Sequence, residues 1–339
     1  MKEAYLYEKM EENSVRCLLC NHRCLIKDGD RGICGVRQNR DGTLISLVYG
    51  KVIAKHVDPI EKKPLFHFLP GSRSYSIATV GCNFKCLFCQ NADISQMPSD
   101  HGQIWGDDMT PEMIVREALA TRSATIAYTY TEPTVYYELA VDTARLAARK
   151  GLKNIFVSNG YMTKECLEDI SPDLHGANVD LKAYSDRFYK KQCGAKLDPV
   201  LRTLETMNDL GIWLEVTTLV IPGLNDDRDE LKAMAAFLFD LNPNIPWHIS
   251  RFHPTYKLTE RQATPPDTLR AARDIGYEAG LKYVYTGNLP GDKGEKTSCH
   301  ACGELLIDRL GFTVTRLNMD GGRCPKCGTE IPGIWAAGS

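Results

Sequence analysis

The chain has 339 residues, 43% apolar and 25% charged, with 41 Lys and Arg against 43 Asp and Glu for a net charge of −2. That length permits two or three domains and a core that needs no disulfide staples. The near-neutral balance excludes a chain built mainly to coat nucleic acid, and no apolar run approaches the roughly 18 residues of a membrane span. The charged opening MKEAYLYEKMEEN lacks the apolar stretch of a secretory signal, so a cytoplasmic location is expected.

Residues 1–70 hold turn signals (DGDRG, NRDG), little helical periodicity and four cysteines, Cys17, Cys20, Cys24 and Cys34. They read as a small loop-rich module held partly by metal. From residue 71 a different rhythm begins. SYSIATV reads as a buried strand, and TPEMIVREALA, with a Thr cap and Pro at the first helical position, as a helix. The strands TIAYT, NIFVS, ANVDLK, WLEVTTLVI, WHISRF and KYVYTG then alternate with the helices PTVYYELAVDTARLAARK, TKECLEDI, PVLRTLETMNDLG, DRDELKAMAAFLFDL and PDTLRAARDIGYEAG. Alternation of this kind predicts an α/β core over 71–290 with a parallel sheet. Periodicity leaves an open doubly wound sheet and an incomplete barrel as alternatives. A polar Gly/Pro-marked linker then leads into a C-terminal module, 291–339, with strand-like LLIDR and FTVTRL.

The chain carries 13 cysteines, and all but Cys166 and Cys193 fall into three clusters. The cytosol is reducing, so tight clusters there read as metal ligands rather than disulfides. Cys82, Cys86 and Cys89 follow the first strand of the parallel sheet, where such folds bind ligands. Three thiolates on one loop can hold three corners of a cubane iron–sulfur cluster, whereas an electron-transfer cluster takes four. No fourth cysteine is near in sequence, which leaves one iron open for chemistry; a structural zinc loop with a distant fourth ligand is the alternative. Cys299, Cys302, Cys324 and Cys327 form two knuckles, each followed by Gly, as in a closed four-thiolate zinc site or a rubredoxin-like iron site. Few Lys or Arg surround them, so nucleic-acid binding is not expected. Cys17, Cys20, Cys24 and Cys34 fit either zinc or an auxiliary iron–sulfur cluster, with His22 as a substitute ligand. Cys166 reads as a buried helix residue. Cys193 reads as packing, or as a thiol facing the mouth of the sheet.

The loop GCNFKCLFCQN resembles the cluster loop of the radical S-adenosylmethionine (SAM) enzymes, including the aromatic residue before the last Cys. KKPLFHFLPG, YTYTEP, SNG, NVDLK, TTLVIPGLND and WHISRFHP occur in the order seen in activating enzymes of glycyl-radical proteins, such as those of pyruvate formate-lyase. The arrangement is most similar to the AmmeMemoRadiSam-system subgroup, named from companion proteins of the AMMECR and Memo types. The resemblance implies a partial (β/α)6 TIM-like barrel. Cys82, Cys86 and Cys89 would hold a 4Fe–4S cluster whose open iron chelates SAM. Reductive cleavage then gives methionine and a 5′-deoxyadenosyl radical that abstracts hydrogen from a substrate. It also implies an electron donor of flavodoxin or ferredoxin type, and leaves a protein substrate, a small-molecule substrate and a non-catalytic metal-binding adaptor as three readings of the whole.

By the same resemblance Phe88 backs the adenine, and Thr131 and Glu132 stand where the family has Gly-Gly-Glu, whose backbone receives the SAM amino group. Ser158 and Asn159, with Gly160, match a segment that lines SAM, or form a strand-end turn. Asp180 and Lys182 match a motif near the methionine half, or form a buried ion pair. His253 matches a late-strand His near the nucleoside, or is a core His. No side chain is singled out for hydrogen abstraction. Val157 replaces an Asp and Thr217 an Arg of the activases, which counts against a cation site beside SAM and against a glycyl-radical substrate. A radical must form in a closed site, so the N-terminal module, the C-terminal module or both are expected against the mouth of the barrel, the N-terminal one first.

Overall fold

The apolar, β-branched runs form strands as expected, and they lie side by side in chain order. In the computed structural model, which describes residues 1–336, eight strands make one sheet. They are β1 (Ala54–Pro59), β2 (Arg73–Ala78), β3 (Thr125–Tyr128), β4 (Lys153–Ser158), β5 (Gly176–Asp180), β6 (Trp213–Val220), β7 (Trp247–Arg251) and β8 (Val284–Gly287). β1 is antiparallel to β2, and every later neighbour is parallel. The order never reverses, so the sheet lacks the switch point of a doubly wound fold. Helices α1 (Pro111–Ala120), α2 (Tyr137–Arg149), α3 (Lys164–Ile170), α4 (Asp198–Asp209), α5 (Arg228–Leu241) and α6 (Pro266–Glu278) occupy the crossovers. Right-handed crossovers between successive neighbours place them on one face. Three start at side-chain caps: Thr110 accepts from Met113 N, Thr163 from Cys166 N, and Asp227 from Asp229 N and Glu230 N. Among the described residues no helix is long and apolar enough to cross a membrane.

The core sheet begins inside the 1–70 block, because β1 belongs to it. The rest of that block is short antiparallel strands of two to four residues. Val15, Val36, Leu44 and Val48 join the same buried cluster as the core helices and strands. The block therefore has no hydrophobic core of its own. Arg37 on strand Arg37–Arg40 reaches Glu138 on α2 with two hydrogen bonds of 2.9 Å, and both side chains are buried.

Residues 60–69 plug the N-terminal ends of the parallel strands. Gly176, first in β5, is glycine for a steric reason: a Cβ there would stand 2.7 Å from the Phe68 ring. Glu215 on β6 is buried and accepts from Phe66 N (2.9 Å), His67 N (2.8 Å), Trp213 Nε1 (3.1 Å) and His248 Nε2 (2.7 Å). The C-terminal module packs beneath this plug. Its strands Thr297–Ser298, Leu305–Leu310 and Thr313–Leu317 form an antiparallel sheet. Ile334 exchanges backbone hydrogen bonds with His67 O and Leu69 N, both 2.7 Å. Buried Arg309 donates to Phe66 O at 2.7 Å and stacks its guanidinium 4.1 Å from that ring. The motif KKPLFHFLPG is thus the seam between sheet and C-terminal module.

His67 binds Pro332 O and Tyr285 OH, each at 2.7 Å. Burial lowers its pKa from 6.5 to about 4, against an opposing pull from Glu215. The unfolded chain binds this proton more readily, so stability present above pH 6.5 is lost as the pH falls toward 4. The loss should reach about 3 kcal/mol across that window. The urea midpoint of the wild type should fall between those pH values more steeply than that of His67→Gln; parallel curves would reject the assignment.

Candidate active site

The cysteine loop leaves the C-terminal end of β2 through Gly81, whose φ is +101°. A Cβ there would meet Val36 Cγ1 at 2.6 Å and Cys34 O at 3.2 Å. Only glycine admits both that conformation and that approach, so the loop starts pressed against the N-terminal block. Backbone bonds then clamp it: Lys85 N to Cys193 O (2.8 Å), Leu87 N to Gln192 O (2.9 Å) and Lys257 N to Leu87 O (2.9 Å). Gln96 Nε2 donates to Phe84 O at 3.0 Å, and Ser95 Oγ lies 3.1 Å from Cys89 Sγ. Cys86 is buried; Cys82 and Cys89 are half-buried. All three thiols have raised pKa values. Burial is the main cause for Cys82 and Cys89, and the adjoining Cys193 thiol for Cys86. Buried thiols in such a setting become ligands when a metal takes the place of the proton. Three of them on one loop fit an iron–sulfur cluster.

The residues singled out on the following strands gather on this loop. Asn159, after β4, donates from Nδ2 to Asn83 Oδ1 (2.7 Å) and approaches Cys82 Sγ at 3.7 Å. Glu132, after β3, is buried and accepts from Thr134 N and Oγ1, Ser158 Oγ (2.8 Å) and Asn159 N (2.8 Å). Its carboxylate braces the Ser158–Asn159 turn. Thr131 Oγ1 donates to Thr79 O at 2.8 Å. In the YTYTEP turn, Tyr130 takes a left-handed φ of +61°, a conformation glycine adopts readily. Its carbonyl accepts from Asn91 Nδ2 at 2.8 Å.

Lys182 Nζ pairs with Asp180 Oδ2 at 2.8 Å and lies 5.9 Å from the centre of the Phe88 ring. Burial opposes its charge, but Asp180 and the thiols Cys86 and Cys193 raise its pKa well above the ordinary value. A cation thus stands over the cysteine loop. Phe88 is buried against Phe188, with ring centres 5.8 Å apart. His253 is exposed, which excludes a core role for it. Thr217, in the place of an Arg, donates to Asn178 Oδ1 at 2.8 Å.

Two sequence expectations change. A fourth cysteine does stand near the loop: the buried Cys193 thiol touches that of Cys86. It comes from a π-helical turn, Tyr189–Cys193, more than a hundred positions downstream, so spacing could not show it. His22 Nε2 bonds Asn83 O at 2.9 Å, so that nitrogen is not available as a ligand. Asn83 itself, inside the C-x3-C gap, escaped the sequence reading although it links the loop to both Asn159 and His22.

The outer cysteines differ in spread. Sγ of Cys299 is 3.7 Å from that of Cys327, and Cys302 is 3.6 Å from Cys324. Bonds of about 2.3 Å at tetrahedral angles put sulfurs roughly 3.8 Å apart around one ion, so this set fits a single metal. The knuckle glycines close on carbonyls rather than on sulfur: Gly303 N to Cys299 O and Gly328 N to Cys324 O. Cys17, Cys20, Cys24 and Cys34 instead line one cavity between the N-terminal block and the core. Cys166 is fully buried on α3.

Residues 76–238 match the radical SAM superfamily. The chain is 49% identical to an uncharacterised protein of Methanocaldococcus jannaschii, over 98% of this chain and 99% of that one. It is 20% identical to the pyruvate formate-lyase 1-activating enzyme of Escherichia coli K12, over 60% of this chain and 89% of that enzyme. Among solved structures, a radical SAM methyltransferase from Sphaerobacter thermophilus shares the fold, with a TM-score of 0.50 and 15% identity over 70% of this chain and 71% of that one. With its cysteine loop at the end of a parallel strand and the downstream strand ends converging on it, the chain belongs to the radical SAM superfamily and is similar to glycyl-radical activating enzymes.

Proposed function

We propose that the protein is a radical SAM enzyme of activating-enzyme type, with a partial (β/α)6 barrel open around the cysteine loop. The observation that carries this is the convergence of Asn159, Asp180 and Lys182 on Cys82, Cys86 and Cys89 at one end of the sheet. The three cysteines hold a 4Fe–4S cluster. When bound at its open iron, SAM supplies a 5′-deoxyadenosyl radical for hydrogen abstraction. The chain's own residues do the rest. Lys182 offers positive charge beside the thiolates and, with Asp180, polar contacts for the methionine half. The turn backbone at Tyr130 and Thr131 would receive the amino group, Ser158 and Asn159 brace the loop, and Phe88 would back the adenine. His253 would have to fold inward from its exposed position to reach the nucleoside. The N-terminal block lies against the cysteine loop and supplies the cover that a radical site requires.

In this reading the substrate is a protein, with a small molecule as the alternative, the electron donor is of flavodoxin or ferredoxin type, and the setting is cytoplasmic. Companions of the AMMECR and Memo types follow if the subgroup resemblance holds. The test is anaerobic reconstitution followed by EPR of the reduced protein with and without SAM. A cubane signal that changes on SAM addition supports the reading; a signal indifferent to SAM rejects it.

Cys299, Cys302, Cys324 and Cys327 hold structural zinc in this account. Cys324→Ser should release about one metal equivalent and loosen the C-terminal module, because metal binding and local folding are linked. SAM cleavage should largely survive, since the module sits at the opposite end of the strands. Complete loss of cleavage in a folded variant would refute that separation.

A further inference from the structure

The N-terminal cysteines are arranged unlike the C-terminal ones and like the central three. Among the described residues, only Cys299, Cys302, Cys324 and Cys327 gather closely enough for one ion, with all four sulfurs within 4.8 Å of one another. Cys17, Cys20, Cys24 and Cys34 surround a cavity instead, together with His22, Arg37 and Asn83. Sulfurs bound to separate irons at the corners of a cluster stand further apart than sulfurs sharing one ion. Two buried N–H groups on the cavity wall also lack partners among the described residues: Asn83 Nδ2 and Arg37 Nε. Asn83 is 1% exposed and Arg37 2%. Orphaned buried donors are costly, and cluster sulfurs accept such hydrogen bonds. The Arg37 guanidinium also offers its charge to an anionic four-thiolate group.

We propose that Cys17, Cys20, Cys24 and Cys34 hold a second, fully ligated iron–sulfur cluster that passes electrons to the one at Cys82, Cys86 and Cys89. This rests on the radical SAM reading of the central site. Four thiolates leave no open iron, which suits electron transfer rather than substrate binding. The path is short: Asn83 lines the cavity, and its neighbour Cys82 is a ligand of the central cluster. In the transfer one electron leaves the reduced outer cluster and reduces the inner one, with no bond made or broken. A one-electron donor of flavodoxin or ferredoxin type restores the outer cluster.

The test compares metal content and EPR in three full-length proteins after anaerobic reconstitution. The wild type should hold iron and sulfide well in excess of about four atoms each. The Cys17/Cys20/Cys24/Cys34→Ser variant should lose that excess and keep the SAM-sensitive signal. Its reduction by flavodoxin should slow at least about tenfold. The Cys82/Cys86/Cys89→Ala variant should keep a cluster signal that ignores SAM, which decides the matter even if the serine variant fails to fold. Two zinc ions per chain with iron confined to the central loop would overturn the second cluster. Unchanged flavodoxin kinetics with the excess iron gone would overturn the relay. Absence of any SAM-sensitive signal in the wild type would instead strike the reading of the central site.

Discussion

Replacing Cys82, Cys86 and Cys89 together by alanine is expected to abolish SAM cleavage and every EPR feature that responds to SAM. These thiols sit on one clamped loop, and the polar residues of three successive strand ends face it. Removing them removes the thiols on which those residues converge. The fall should exceed about a thousand-fold, since even modest enzymatic accelerations are far larger. Cys193→Ala separates ligand from neighbour. Its thiol touches Cys86 from a flanking turn, so the variant should keep a SAM-sensitive signal. A SAM-sensitive signal that appears in the folded Cys193 variant but is absent from the wild type would make Cys193 a fourth ligand that closes the open iron.

The second large effect concerns the joint between the N-terminal block and the core. Arg37→Met leaves Glu138 buried without its bidentate partner, holding only Tyr5 N at 3.1 Å. Stranding a buried charge costs about 3–5 kcal/mol, readable as a fall in the urea midpoint. Adding Glu138→Leu should restore most of the loss, because an apolar pair of similar volume avoids the desolvation penalty. If the double variant is no more stable than Arg37→Met, the loss lies in packing rather than in the stranded carboxylate.

The alternation of strands and helices was legible because each core strand is a short apolar run between turn signals and three of the helices start at a Thr or Asp cap. The cysteine loop was legible because its three cysteines lie within eight residues. What was not legible depends on chain segments distant in sequence. Cys193 comes to Cys86 only through the turn after β5. Residues 54–59 look like part of a loop-rich module, yet their backbone completes the edge of the large sheet. KKPLFHFLPG was recognisable as a motif, but its reason emerges only when Glu215 is seen binding Phe66 and His67 from below. Spacing likewise could not separate a one-ion site from a cluster site at the N-terminal cysteines, since both accept C-x2-C patterns.

The central claim is most directly tested by incubating the reconstituted protein with SAM and dithionite under strict anoxia and quantifying the nucleoside products. The account predicts 5′-deoxyadenosine and methionine in equal amounts, both absent from the Cys82/Cys86/Cys89→Ala variant. Intact SAM, or S-adenosylhomocysteine in place of 5′-deoxyadenosine, from a protein that holds its cluster would contradict it.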